Sequence, residues 1–180
     1  MKTILRVTSI LILVSLVGCA STVSRNTSTV KEEKVQITKF QPIKSVNLSL
    51  NSRAKEKLPD NLNFSSDALL KKINSTLQAN QYLNTNNLPT NISVEVLVTN
   101  IRTRSGVTAI MLGPLAGGDY ITGDVLIKDG ANTIDKFEVD VTFAWGGAMG
   151  DTDSRMNWMY ESFANKMTEE IKKLMPITKN

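Results

Sequence analysis

The chain has 180 residues, no histidine and one cysteine, Cys19. Without an imidazole it carries no Ser-His-Asp triad, no Cys-His pair and none of the usual histidine-bearing zinc sites. With a single thiol it forms no disulfide within the chain. No block of Lys and Arg is dense enough to make a phosphate-binding stripe, so nucleic acid is not an expected partner. No glycine loop ends in Gly-Lys-Ser or Gly-Lys-Thr, which excludes a Walker-type phosphate site. No internal repeat is present, and no motif calls for a cofactor or a metal. The length suffices for one domain with a real core.

What is present is concentrated at the N-terminus. Lys2 and Arg6 form a positive start, and Val7 to Val17 follow as an apolar run. That run is shorter than the roughly 20 apolar residues of a membrane-spanning helix and has the form of a cleaved signal peptide. It ends in Leu16-Val17-Gly18-Cys19, which resembles the lipobox of bacterial lipoproteins. The resemblance implies a diacylglycerol thioether on Cys19, cleavage between Gly18 and Cys19, and acylation of the new amine. A thiol suits this role because it is the strong nucleophile that forms a stable thioether. Two or three acyl chains hold a protein on a membrane firmly where one does so only marginally. The residue after the cysteine is Ala20 and not the aspartate that tends to retain lipoproteins in the inner membrane. The resemblance therefore implies the outer membrane, facing the periplasm. Removing residues 1–18 takes away Lys2 and Arg6 and no acid, so the formal charge falls from +4 to +2.

Residues 19–34 are polar and without periodicity, and read as a lipidated flexible tether. Lys31, Lys34 and Lys39 lie near it as solvated residues or as contacts to lipid headgroups. A single domain is expected over residues 35–176. Val35 to Phe40 and Ser45 to Leu50 alternate like strands, and residues 51–63 read as a loop. Ser65 or Ser66 caps a helix with Leu69, Leu70, Ile73 and Leu77 on its apolar stripe. Ile92, Val94, Val96 and Val98 share one face of a strand. A second strand runs from about Tyr120 to Lys128, the turn Asp129-Gly130 follows, and a third strand runs from Thr133 to Trp145. The last helix starts at a cap, Asp153 or Ser154. It carries Met156, Met159, Tyr160, Phe163, Met167, Ile171, Leu174 and Met175 in one stripe. The expected class is α+β, a single mostly antiparallel sheet packed on two helices in the order β-β-α-β-β-β-α.

Two segments stand out. Val107 to Gly118 is apolar, rich in glycine and contains Pro114. It is longer than a hairpin turn requires. One reading makes Val107, Ile110, Met111, Leu112 and Leu115 a contact with lipid or a partner protein. The other lets the segment continue both strands and fold under a helix. Gly146 to Asp151 precedes the last helix and reads as a tight turn. Asp151 and Asp153 are too few for a calcium loop. Asp119, Asp124, Glu138 and Asp140 read as solvated strand residues, since nothing in their spacing sets two of them about one scissile bond. Arg102 and Arg104 share a strand face in this reading and meet an acid of the next strand, with Asp124 the candidate.

Asn100-Ile-Arg-Thr-Arg-Ser, Leu115-Ala-Gly-Gly-Asp, Ser154-Arg-Met and Phe163-Ala164 are similar to an uncharacterised family of bacterial lipoproteins defined only as a domain of unknown function. The similarity covers about 35 to 175 and supplies no catalytic residues. It implies a periplasmic lipoprotein with one α+β domain. The functional expectation is a non-enzymatic accessory or binding component of an envelope protein complex. The alternatives are a lipid-handling auxiliary lipoprotein of an ABC-type transport system and, least favoured, a hydrolase using paired carboxylates.

Overall fold

The computed structural model describes residues 20–25, 40–104, 117–144 and 151–177. The strands are β1 (Ala20–Ser24), β2 (Ser45–Leu50), β3 (Ile92–Arg102), β4 (Asp119–Asp129) and β5 (Asn132–Phe143). The helices are α1 (Ser52–Lys57), α2 (Ser66–Ala79) and α3 (Thr152–Leu174), with a short 3-10 turn at Leu58–Asp60.

Period-two alternation builds the three long strands. Ile92, Val94, Val96 and Val98 of β3, Ile121, Val125 and Ile127 of β4, and Phe137, Val139, Val141 and Phe143 of β5 are all buried on one face. The opposite face carries Ser93, Glu95, Tyr120, Thr122, Lys136, Glu138 and Asp140, all partly or fully exposed. The sheet order is β1-β5-β4-β3-β2. All pairs are antiparallel except β2 with β3, which are parallel. A parallel pair needs a long crossover, and residues 51–91 supply it with α1 and α2. The architecture is α+β with one five-stranded, mostly antiparallel sheet and three helices, in broad agreement with the expected order.

The helices cover the apolar face. Ser65 caps α2 by accepting from the Ala68 amide, and Leu69, Ile73 and Leu77 are buried. In α3 the buried stripe runs through Met156, Met159, Tyr160, Phe163, Met167 and Ile171. Phe163 lies against β4 at Gly123, where a Cβ would come within 3.1 Å of its ring. No described helix is long and apolar enough to cross a membrane.

Four local expectations need correction. Residues 51–63 are not simply a loop, because Asn51 caps α1 by accepting from the Ala54 amide and Ala54 is buried. The cap of α3 is Asp151, which accepts from the Ser154 amide at 2.8 Å, and not Asp153 or Ser154. Arg102 and Arg104 do not share a face. Arg102 is exposed and Arg104 buried, since β3 ends at Arg102 and the chain turns inward after it. The fourth lies at the N-terminus. Ala20–Ser24, read as tether, pairs with β5 as an edge strand from Ala20 against Thr142 to Ser24 against Glu138. Only Val23 of this strand packs against the core, so its sequence shows no apolar alternation. Residues 26–39, which hold all but the last residue of the strand expected from Val35 to Phe40, and Trp145 lie outside the described residues, and Phe40 is not in a strand.

Candidate functional site

The cross-strand register lines up one end of the sheet. Ala20 pairs with Thr142, Thr142 with Tyr120, and Tyr120 with Arg102. β1 begins at this end, β3 and β5 finish there, and β4 starts there. Cys19 precedes Ala20 by one residue. Arg104, Gly117, Ala144 and Asp151, the described residues that flank segments 105–116 and 145–150, belong to the same end.

β1 is fastened at its far end by Arg25. Its guanidinium donates to Asp135 Oδ2 at 2.9 Å and to Glu170 Oε2 at 2.6 Å. It also lies 5.3 Å from the centre of the Phe137 ring, within cation–π range. The hydrogen bond to Asp135 is the largest influence on Arg25 and raises its pKa, with Glu170 adding to it against the cost of burial. On Glu170, burial acts to raise the pKa. Hydrogen bonds from Lys173 and Arg25 outweigh it and hold the carboxyl below its ordinary value. Ser24 adds a hydrogen bond to Glu138 at 3.3 Å.

At the other end of β1, a buried charge cluster ties the neighbouring chain ends together. Asp119 Oδ1 accepts from the Arg104 amide at 2.6 Å and from Arg104 Nε at 3.1 Å. Asp119 Oδ2 accepts from Arg155 Nη1 at 3.0 Å. Arg155 also donates to the Arg104 carbonyl and to Thr152, and Arg104 donates to the carbonyls of Gly117 and Phe143. The side chains of all three are at most 6% exposed. Gly117 has φ +75, a conformation that favours glycine. The cluster thus fixes the exit of β3, the entry of β4, the end of β5 and the first turn of α3. One carboxylate satisfies two guanidiniums, and burial of charge demands such pairing. Both oxygens of its one carboxylate are engaged by guanidiniums, and its described contacts are internal.

Beyond β3, Asn61 accepts from the Thr103 amide and holds the Leu58–Asp60 turn against the sheet end. Leu62 follows and is 86% exposed. Lys57 of α1 donates to Asn100 Oδ1 at 2.6 Å and lies 5.7 Å from the Tyr120 ring centre. Between α2 and α3 a shallow groove of about 530 Å³ is lined by Ser65, Ala68, Lys71, Met156 and Tyr160. Burial pushes the Tyr160 hydroxyl up, and it accepts from the Ser65 amide at 2.7 Å.

The sequence-derived candidates fall unevenly on this structure. Gly18 and Cys19, and Val107, Ile110, Met111, Leu112 and Leu115, lie outside the described residues. Asp124 pairs with Lys136 at 3.4 Å and not with Arg102 or Arg104. Asp140 accepts from Thr122 at 2.8 Å and Thr142 at 3.1 Å. Among the described residues no three acidic, histidine or cysteine side chains gather as a metal site. The Arg104–Asp119–Arg155 cluster was missed, although its signal is in the sequence. Asp119 stands at an inward position of β4, two before Ile121. Arg155 is in phase with Met159 and Phe163 on α3. Two charges on two apolar faces call for each other.

Comparison with known proteins gives a family. No curated protein matches the chain. Among solved structures it is similar to the PelC dodecamer from Paraburkholderia phytofirmans, with 12% identity and a TM-score of 0.40 over 82% of this chain and 94% of that one. A single-site variant of the same dodecamer gives 13% identity and a TM-score of 0.43 over 80% and 94%. The chain belongs to the family described as a domain of unknown function, DUF4410, whose profile matches residues 25–147.

Proposed function

We propose that the chain is a lipid-anchored accessory protein of a bacterial cell envelope. In this reading it is attached through Cys19 to the periplasmic face of the outer membrane. It acts by binding an envelope protein complex and not by catalysis. The observation that carries the reading is the start of β1 at Ala20, immediately after the cysteine of the lipobox-like Leu16-Val17-Gly18-Cys19. Cleavage between Gly18 and Cys19 removes no described element and leaves a chain that begins one residue before its first strand. A non-enzymatic role is supported by the lack of any histidine. It is also supported by the engagement of Asp119, Asp124, Glu138 and Asp140 in ion pairs or hydrogen bonds within the fold. Val107, Ile110, Met111, Leu112 and Leu115 are the proposed contact with lipid or partner.

The test is crosslinking in intact cells followed by purification, with Cys19→Ala run in parallel. Recovery of one envelope complex by the unsubstituted protein alone, with loss of Cys19→Ala from the membrane fraction, is the expected result. An unchanged membrane fraction for Cys19→Ala contradicts the anchor.

A further inference from the structure

We infer that the end of the sheet bearing Ala20, Arg102 and Leu62 rests on the surface of the phospholipid bilayer that holds the anchor. The inference depends on the anchoring through Cys19 proposed above and adds which side of the domain meets the membrane. Its ground is the length of chain between lipid and fold. A tether over residues 19–34 would let the domain stand up to about 55 Å away at 3.3–3.6 Å per extended residue. With β1 starting at Ala20 and paired with Thr142, only Cys19 itself remains, about 3.5 Å of chain. The headgroup layer on each side of the hydrocarbon core is about 5–8 Å deep. A strand fastened to the sheet at that distance cannot hold the domain clear of it.

The surface at this end suits such a neighbour. Ala20, Thr142, Tyr120 and Arg102 make one row across four strands, about 14 Å wide at the usual strand spacing. Next to the row stands Leu62, the most exposed large apolar side chain among the described residues. It is held beside Thr103 by Asn61. Arg53 and Lys55 of α1 are exposed at the same end beside the exposed Glu56 and Asp60, so the formal charges there balance and charge does not select this surface. The far end also has an exposed apolar side chain, Leu88, at 52%. Its place is fixed by hydrogen bonds to Asn84, ahead of β3. Apolarity alone would insert either end, and the position of Cys19 selects the Leu62 end.

The experiment uses the lipidated full chain reconstituted on vesicles of phosphatidylethanolamine and phosphatidylglycerol. Cys19 is consumed by lipid, so Leu62→Cys and Leu88→Cys each provide one free thiol for an environment-sensitive fluorophore. Both sites are exposed, so neither change threatens the core. The expected result is quenching by spin-labelled lipid that is several-fold stronger at position 62 than at position 88, with the reverse order for an aqueous quencher. Equal quenching at both sites overturns the inference while leaving the anchor standing. So does a photo-crosslinker at position 62 in cells that captures a protein in preference to lipid. Mass spectrometry of the N-terminal peptide separates the two claims, since an unmodified Cys19 thiol overturns the anchor and this inference with it.

Discussion

β4 and β1 belong to one sheet but are held in it by different forces. β4 has a partner strand on each side and buries Ile121, Val125 and Ile127 completely under α3. β1 has one partner, exposes Ala20, Thr22 and Ser24, and packs only Val23 on the core. Its fastening is polar: the Arg25 pairs with Asp135 and Glu170 and the contact with Phe137. Apolar burial is worth about 25 cal/mol per Å², and exposed ion pairs are worth little. The centre of the sheet therefore carries the stability, while β1 is the separable part. In the proposed reading that separable strand connects the membrane to the core.

The largest effect is expected in the centre. Phe163 is fully buried against Gly123. Phe163→Ala should cost about 3–5 kcal/mol, read as a lowered urea midpoint in which β1 and the core unfold together. Asp119→Ala should cost a similar amount, about 3–5 kcal/mol, because it leaves two buried guanidiniums without their carboxylate. A loss below 1 kcal/mol would show that Arg104 and Arg155 are satisfied without Asp119.

Arg25→Ala should separate the two regions. The guanidinium is 38% exposed, and solvent screens its pairs. Global stability should fall by about 1 kcal/mol or less. Hydrogen exchange in Ser21–Ser24 should nonetheless rise sharply while that of β4 stays unchanged. Equal acceleration in both strands would erase the distinction.

Acid should have the smallest and most local effect. Glu170 is held below its ordinary value in the folded state. A depressed carboxyl contributes stability above its unfolded value, near pH 4.3, and the contribution is lost as pH falls through the folded value. The docking of β1 should therefore be constant from about pH 7 to 5 and weaken below about pH 4. The Arg25→Ala variant should lose most of this dependence. The same acid loosening in the variant would assign it to other carboxylates.

The legible part of the fold is the part built by periodicity. Val94–Val96–Val98, Phe137–Val139–Val141 and the Met156–Phe163–Ile171 stripe declare their faces, and Asp129-Gly130 declares its turn. Gly130 indeed adopts φ +59, as a tight hairpin favours. What is not legible is built by contacts distant in sequence. Ala20-Ser-Thr-Val-Ser has too little apolar content to announce a strand, and its docking depends on Asp135 and Glu170, 110 and 145 residues from Arg25. A bulge between Val98 and Asn100 interrupts the β3–β4 register, so Ile101 faces the core and Arg102 does not. Alternation alone sets Arg102 and Arg104 on one face whatever the bulge does, and the end of β3 at Arg102 separates them. The charge cluster was half legible, because Asp119 and Arg155 break the apolar pattern at inward positions, but only the fold brings them together.

The central claim is that the chain becomes ordered sheet immediately after Cys19. Hydrogen exchange on the mature protein, beginning at Cys19, tests it most directly. Protection of the Ser21–Ser24 segment well above that of an unstructured peptide is predicted. Exchange of that segment at the free-peptide rate, with β4 protected, would return residues 19–34 to a tether and detach the membrane from the sheet.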